Sequence, residues 1–297
     1  MGDVPALSSA TRKNLLSLQR TSSLIGRTQE RLATGLKVNS AIDDALAFFK
    51  ARNLSARAGD LSTIKNQISN GISTIRAAVT GLETIEATLK QMKALAASAV
   101  ASPESLTRAK LASQFNELRS QVDNIAEDAK FNGVNLLKNT TTAFEAGADQ
   151  LTVKFNERTN ASAVNQLIVS GINTTDFQSI MARSAVATGT AGATSVWGQT
   201  GTAAITAINS AIRALDSAMV TVRQVSQTLG TNSSLLEIRR QFTENLISTL
   251  RSGSSELINA DLNEESANLL SLQTRQQLGT ISLSIAQQSE QSVLRLF

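Results

Sequence analysis

The chain has 297 residues, 28 of them basic and 24 acidic, and contains neither cysteine nor histidine. That excludes thiol and imidazole nucleophiles, disulfides, and the usual zinc, copper and haem ligands. Aromatics are 3% of the sequence, with nine Phe, one Trp and no Tyr, so thin bundles with seams of Leu, Ile, Val and Ala are expected rather than cores built on large rings.

The opening residues, Met1 to Gln19, lack the uninterrupted apolar core of a secretory signal. Met1-Gly2 is no myristoylation site, because Ala6 stands where that motif requires Ser or Thr. No stretch approaches the ~20 apolar residues of a membrane span, so the chain is expected to be soluble or to leave the cell without a cleaved signal. Val4, Thr11, Leu18, Ile25 and Leu32 then recur every seven residues, which reads as a coiled-coil seam needing a partner. The helix is expected to end near Gly35. Asn39, Asp43 and Asp44 follow as a joint whose side chains can cap the next helix start.

Beyond the joint, Ile68, Ile72, Ile75, Val79, Leu82, Leu89, Met92 and Ala96 alternate steps of four and three, broken around Ile85. They predict a helix over about 64–99. Ser102-Pro103-Glu104 stops it and starts another, carrying Leu111, Phe115, Leu118, Val122, Ile125 and Ala129. Asn132-Gly133 supplies the positive-φ residues of a turn. Strict alternation in Leu151–Phe155 predicts a strand, with 166–171 as its partner. Residues 184–202 are rich in Ala, Gly, Thr and Ser around a lone Trp197, a composition poor in core material. Helical spacing returns with Ile205, Ile208, Ile212, Leu215, Met219 and Val222. It is expected to break at Gly230 and resume with Leu235, Ile238, Phe242, Leu246 and Thr249. The C-terminal stretch carries Leu270, Leu278, Ile281, Ile285, Val293, Leu294 and Leu296 in a Gln- and Ser-rich background.

Residues 1–60 hold nine basic and five acidic side chains, and residues 254–297 hold two and five. This complementarity fits pairing of the two ends, and it fits simple solvation of each helix equally. The basic residues are scattered and have no aromatics among them, so nucleic-acid binding is not expected. The fold class is read as mainly α: an elongated helical bundle formed by the N- and C-terminal halves, with a small β-containing central insert. Five segments follow: a coiled-coil segment over 1–45, a core half over 46–139, an insert with a β-hairpin over 140–204, a second core half over 205–253, and a coiled-coil segment over 254–297.

Three stretches resemble bacterial flagellin. Leu32-Ala-Thr-Gly-Leu-Lys-Val-Asn-Ser-Ala-Ile-Asp-Asp44 is similar to its N-terminal signature. Phe131-Asn-Gly-Val-Asn-Leu-Leu137 is similar to the turn after its second core helix. Glu256-Leu-Ile-Asn-Ala-Asp-Leu-Asn-Glu-Glu265, with Gln276-Gln-Leu-Gly-Thr280, is similar to its C-terminal signature. The resemblance covers about 1–137 and 205–297, and the opening residues and the Leu15–Gln19 run look closer to alphaproteobacterial flagellins. It implies a non-enzymatic structural subunit that polymerises with itself into the flagellar filament, the propeller for swimming. The termini would line an inner tube, 64–130 and 205–253 would form the surrounding shell, and 140–200 would face solvent. It further implies type III export, an export chaperone on the C-terminal helix, filament cap and hook-junction partners, and an extracellular location in the flagellum, with no cofactor. The assembly seam would use Leu7, Leu18, Ile25, Leu32, Leu278, Ile281, Ile285, Val293 and Leu296. Family members sensed by the innate flagellin receptor carry Arg and Glu where Gln91 and Gln114 stand here, which implies weak activation.

The sequence also bears comparison with three other classes. A hook–filament junction protein shares such terminal helices, but usually has Pro where Asn39 stands. A binding module would use the insert, with Trp197 stacking on a sugar, although a lone Trp in an Ala/Gly/Thr loop is more often a packing contact. O-linked sugars on Thr or Ser of 174–195 are compatible with the composition. As for enzymes, Asp43-Asp44 and Glu264-Glu265 are neighbours in sequence and do not share a helical face, so helix capping and solvation explain them better than acid–base work. Gly189-Thr-Ala-Gly192 lacks the Lys and following helix of a phosphate loop, and Asn139-Thr-Thr141 carries little weight as a glycosylation site.

Overall fold

A computed structural model describes residues 9–138, 148–157, 165–172, 196–199 and 201–294. These form helices α1 (Ser9–Thr34), α2 (Ala45–Ala101), α3 (Ser105–Asp128), α4 (Thr202–Ile258) and α5 (Leu262–Leu294). Four short strands accompany them: β1 (Lys130–Phe131), β2 (Val134–Asn135), β3 (Gln150–Lys154) and β4 (Gln166–Ser170), with a 3-10 turn at Val196–Gly198. The mainly α architecture with a small β component is as expected. Leu7, Leu296, Asn139 to Thr141, Gly189 to Gly192 and the 174–195 hydroxyls lie outside the described residues, as does the side chain of Val293.

The chain divides into two compact units, Met1–Ala58 with Ser248–Phe297, and Gly59–Ile247. In the second, α2 buries Ile68, Ile75, Ala78, Leu82, Ile85, Leu89, Met92 and Ala96. From Ile75 on, the three–four alternation is unbroken. Ile85 belongs to the seam, and Ala78 takes the place the sequence pattern gave to Val79, because a small residue fills a close helix contact without announcing itself as apolar. On α4 the buried set is Ala204, Ile208, Ala211, Leu215, Ala218, Val222, Leu229 and Leu236. Lys65–Glu244, Glu86–Arg223 and Lys93–Asp216 cross between α2 and α4 in one constant antiparallel register.

Helix α4 runs straight through Gly230, where a break was expected. Gly230 lies on the exposed face while Leu229 and Leu236 are buried, so tertiary packing outweighs a glycine cost of ~1 kcal/mol. The buried stripe also falls on Leu236, Thr243 and Ile247, leaving the expected seam residues Leu235, Ile238 and Phe242 exposed.

The Phe131–Leu137 stretch works through two devices. Asn132 (φ 51°) and Gly133 (φ 85°) close the two-residue β1–β2 hairpin as a primed turn. Asn135 Nδ2 then donates to the Ala126 and Glu127 carbonyls, satisfying the end of α3, while Oδ1 accepts from the Leu137 and Lys138 amides. Strands β3 and β4 pair antiparallel, as the alternation predicted. They bury Leu151, Val153 and Val169, and Val153 seats on α2 at Gly71, where a Cβ would stand 2.7 Å from Val153 Cγ2.

The stretch around Trp197 also differs from the sequence reading. Trp197 is 1% exposed, its ring centroid 5.0 Å from that of Phe115 on α3. Arg108, itself buried, donates to the carbonyls of Trp197, Gln199, Ser102 and Pro103, tying this turn to the α2–α3 connection. Trp197 has no face to offer a sugar.

Two glycine substitutions should move stability in opposite directions. Gly81→Ala would place a Cβ 2.7 Å from Ala129 Cβ and 2.8 Å from Leu137 Cδ1, an overpacking expected to cost about 1–3 kcal/mol. Gly230→Ala meets nothing within 4 Å and should stabilise by roughly 0.5–1 kcal/mol. Urea denaturation of the full chain reads both.

Candidate assembly surfaces

The first unit brings the two terminal signatures into contact. Helix α1 ends where Gly35 takes φ 71° and donates to the Arg31 carbonyl. The chain then runs beside the α4–α5 connection. Lys37 and Val38 both donate to the Ile258 carbonyl, at 2.7 and 3.2 Å, and the Ala260 amide returns 2.9 Å to the Gly35 carbonyl. Leu36 and Asn259 form an antiparallel bridge. Lys37 Nζ reaches the Glu256 carbonyl at 3.2 Å, placing a cation at the negative end of α4. Val38 is buried beneath this junction.

The joint residues separate into three roles. Asp43 Oδ2 accepts from the Asn39 amide, the Ser40 amide and the Ser40 hydroxyl, folding the loop onto itself. Asp44 caps α2, its Oδ1 accepting from the Ala47 amide at 2.9 Å. Asn39 reaches Glu30 Oε1 at 3.4 Å. With that cap in place α2 starts at Ala45, well before the expected 64. Its opening turns pack on the end of α4: Ala51 and Ala58 are buried, and Ser254 Oγ donates to the Ala51 carbonyl at 3.0 Å. Asn39, Asp43 and Asp44 therefore lie inside the first unit, which extends to Ala58.

At the other terminus Asp261, not the acidic pair, caps α5, accepting from the Asn263 and Glu264 amides. Glu265 is not solvated, as had been expected. It is 7% exposed and paired with Arg31 at 2.8 Å. Sequence reasoning missed this residue because burial of a Glu leaves no apolar signal.

Helices α1 and α5 pack antiparallel, Leu18 lying against Gly279 and Arg31 against Glu265. The covered face of α1 carries Thr11, Leu18, Ile25 and Thr28, with Leu32 half-buried. That of α5 carries Glu265, Leu272 and the half-buried Leu269, Gly279 and Leu283. Leu18, Ile25 and Leu32 thus fall on the seam expected from their spacing. Leu278, Ile281 and Ile285 do not: they point outward at about 60% exposure, with Leu262 and Leu270. Leu269, Leu272 and Leu283 share the inner face with small and polar residues such as Gly279 and Glu265, which a search for large apolar side chains passes over. Leu15, Leu16 and Leu24 of α1 are likewise outward. On α2, Gln91 and Gln114 on α3 are both exposed.

Among the described residues no three acidic side chains converge as a metal site, and no helix is long and apolar enough to cross a membrane. What the first unit offers is apolar surface and a backbone junction.

Comparison with known proteins accords with that geometry. Residues 6–142 match the bacterial flagellin N-terminal helical region, and 212–297 match the bacterial flagellin C-terminal helical region. Flagellin FljM of Caulobacter vibrioides is 35% identical over 288 residues, spanning 95% of this chain and 94% of its own. The chain belongs to the bacterial flagellins. Flagellin C of Rhizobium meliloti is 28% identical over 301 residues, 91% of each chain, and the relatives of this flagellin are alphaproteobacterial. A solved structure described as a flagellar hook-associated protein from Vibrio parahaemolyticus shares the fold, with a TM-score of 0.53 at 15% identity over 73% of this chain and 100% of that one. The flagellin is a structural subunit of the flagellar filament.

Asp43 titrates below its ordinary value of 3.8, chiefly because the Ser40 amide and then the Ser40 hydroxyl donate to the carboxylate. A depressed carboxylate contributes stability that is complete above pH 3.8 and lost as pH falls through its lower folded value. The protection of the Ser40 amide, measured against its intrinsic exchange rate at each pH, should therefore fall only below that pH. Asp43→Asn should exchange faster already at neutral pH and show no such acid step.

Proposed function

We propose that this flagellin completes the folding of its terminal helices only as it joins the filament. The observation that carries the reading is the set of outward apolar side chains on α5, Leu262, Leu270, Leu278, Ile281 and Ile285, together with Leu15, Leu16 and Leu24 of α1. The α1–α5 seam encloses few large apolar residues, each contributing about 1.5–3 kcal/mol when fully buried. Ordering the backbone costs roughly 1–2 kcal/mol per residue over both helices. A lone pair of helices cannot offset that, whereas neighbouring copies covering the outer faces can.

In this reading the seam comprises two surfaces. Leu18, Ile25 and Leu32 meet α5 of the same copy. Leu278, Ile281 and Ile285, extended by Leu7, Val293 and Leu296, meet other copies. Segments 1–45 and 254–297 line the inner tube, 46–139 and 205–253 form the shell, and 140–204 lies on its outer side. Further exposed apolar stripes, Ile42, Leu46 and Phe49 on one face and Leu235, Ile238 and Phe242 on another, supply lateral contacts. A contact between unlike surfaces that does not close on itself builds a helical filament rather than a ring. Secretion through the flagellar export apparatus, a chaperone on the C-terminal helix, and contact with cap and hook-junction proteins follow from family membership. The role is mechanical, and no residue is assigned to catalysis.

Seeded polymerisation tests the reading. Full-length chain should extend filament fragments, while a chain lacking 1–40 and 258–297 should stay monomeric and folded. Free full-length monomer should show fast amide exchange throughout α1 and α5, slowing on incorporation. Protection of these helices in the monomer equal to that in filaments would refute coupled folding, and capping of fragments without growth would favour a junction protein. Separately, Gln91 and Gln114 should make the monomer a weak agonist of the innate flagellin receptor. A reporter-cell response as strong as that to an Arg- and Glu-bearing flagellin would overturn this.

A further inference from the structure

We propose that the Arg31–Glu265 ion pair fixes the register in which α1 and α5 combine, a role that rests on the assembly reading above and deepens it. Register between two helices is specified by knobs of particular size fitting particular holes, or by a buried polar pair tolerated at one level only. Here the covered aliphatics, Leu18, Ile25 and Leu32 on α1 and Leu269, Leu272 and Leu283 on α5, are alike in size, and Thr11, Thr21, Thr28, Gln276, Gly279 and Ala286 among them are small or polar, so beyond Leu18 over Gly279 the seam discriminates little. Beside Leu18 and Gly279 the helices even leave a cleft of about 230 Å³. Both faces repeat every seven residues, so a slide of one heptad presents a similar surface. Leu18 would move from Gly279 to Leu272 or Ala286, whose Cβ would crowd it where Gly279 does not, a cost relieved by a shift of a few tenths of an ångström.

Glu265 is the exception. It is buried within the seam, its Oε1 takes Arg31 Nη1 at 2.8 Å, and its Oε2 is enclosed with no hydrogen-bond partner. A pair selected for stability would satisfy both oxygens or be replaced by apolar residues of similar volume. What such an incompletely satisfied charge does well is penalise every other arrangement. After a one-heptad slide Glu265 would lie opposite Leu24, or past the end of α1 at Val38, and would lose Arg31 as its partner. Its position strengthens the effect. Glu265 stands in the first turn of α5, directly after the Asp261 cap, and Arg31 in the last turn of α1, directly before Gly35. The pair therefore joins the two helix ends nearest the backbone junction, where pairing that spreads from the junction would start.

The chain has no cysteine, so introduced pairs report register without background. Leu18→Cys with Gly279→Cys reports the observed register, since a Gly279 Cβ would stand 3.2 Å from Leu18 Cγ. Leu18→Cys with Leu272→Cys, or with Ala286→Cys, reports a slide of seven in either direction. In filaments grown on fragments and then oxidised, only the first pair should cross-link. With Arg31→Leu and Glu265→Leu together, the slipped pairs should cross-link about tenfold above that background, and growth should slow. Arg31→Lys, which keeps the charge, should grow and stay in register.

Slipped cross-links that remain at background in the Leu/Leu chain would overturn the proposal. Should that chain fail to grow, Arg31→Lys decides: growth in register supports the role, and failure as complete as that of Leu/Leu overturns it. The same pairs oxidised in free monomer keep the two hypotheses apart. In-register cross-linking as efficient there as in filaments would refute coupled folding, while the ratio of slipped to in-register product still judges the ion pair.

Discussion

Everything in the first unit depends on a short backbone junction between residues far apart in sequence. The amides of Lys37 and Val38 close on the Ile258 carbonyl, and the Ala260 amide closes on Gly35. The accepting carbonyls lie at the C-terminal ends of α1 and α4, where helix geometry leaves C=O groups without partners. Joining them satisfies both ends at once and sends α1 and α5 back along each other. The left-handed Gly35, the Asp44 cap and the Asp261 cap belong to the same solution, each ending or starting a helix where the junction requires it.

That arrangement explains how the flagellin can be both well formed and incomplete. In the second unit α2 and α4 carry long, nearly unbroken buried seams, reinforced by ion pairs in one register. In the first, α1 and α5 share a thinner seam, in which leucines and Ile25 alternate with small and polar residues, and turn further large aliphatics outward. Such an asymmetry suits the assembly proposed above, in which the second unit would be stable alone and the first would gain most of its burial from neighbouring copies.

The buried polar groups show how connections are held where apolar surface is scarce. Arg108 serves four backbone carbonyls, and Asn135 satisfies both the end of α3 and the start of the segment after β2. Each replaces hydrogen bonds to water that the backbone loses on burial, a loss costing about 1–3 kcal/mol per group if unmet. Trp197 fills the space beside Phe115, so Trp197 and Gly198 belong to the core in a segment whose composition reads as surface.

The sequence by itself determined the helical class, the start of α3 after Pro103, the primed turn at Asn132-Gly133, the β3–β4 pair and the α1 seam through Leu18 and Ile25. Each follows from local rules: periodicity, proline and glycine geometry, alternation. Its three motifs also carried the flagellin resemblance, because those motifs sit at caps, turns and the junction, where few residue types serve. Tertiary structure decided which face of a helix was inward when several carried aliphatics. It put Leu236 inside and Phe242 outside, turned Leu278, Ile281 and Ile285 away from α1, carried α4 through Gly230, and buried Glu265 and Arg108. The physical reason is common to all of these. Small residues permit the closest helix approach and polar ones can be buried when paired, yet neither marks itself in a pattern of hydrophobicity, so only the partner across the interface reveals them.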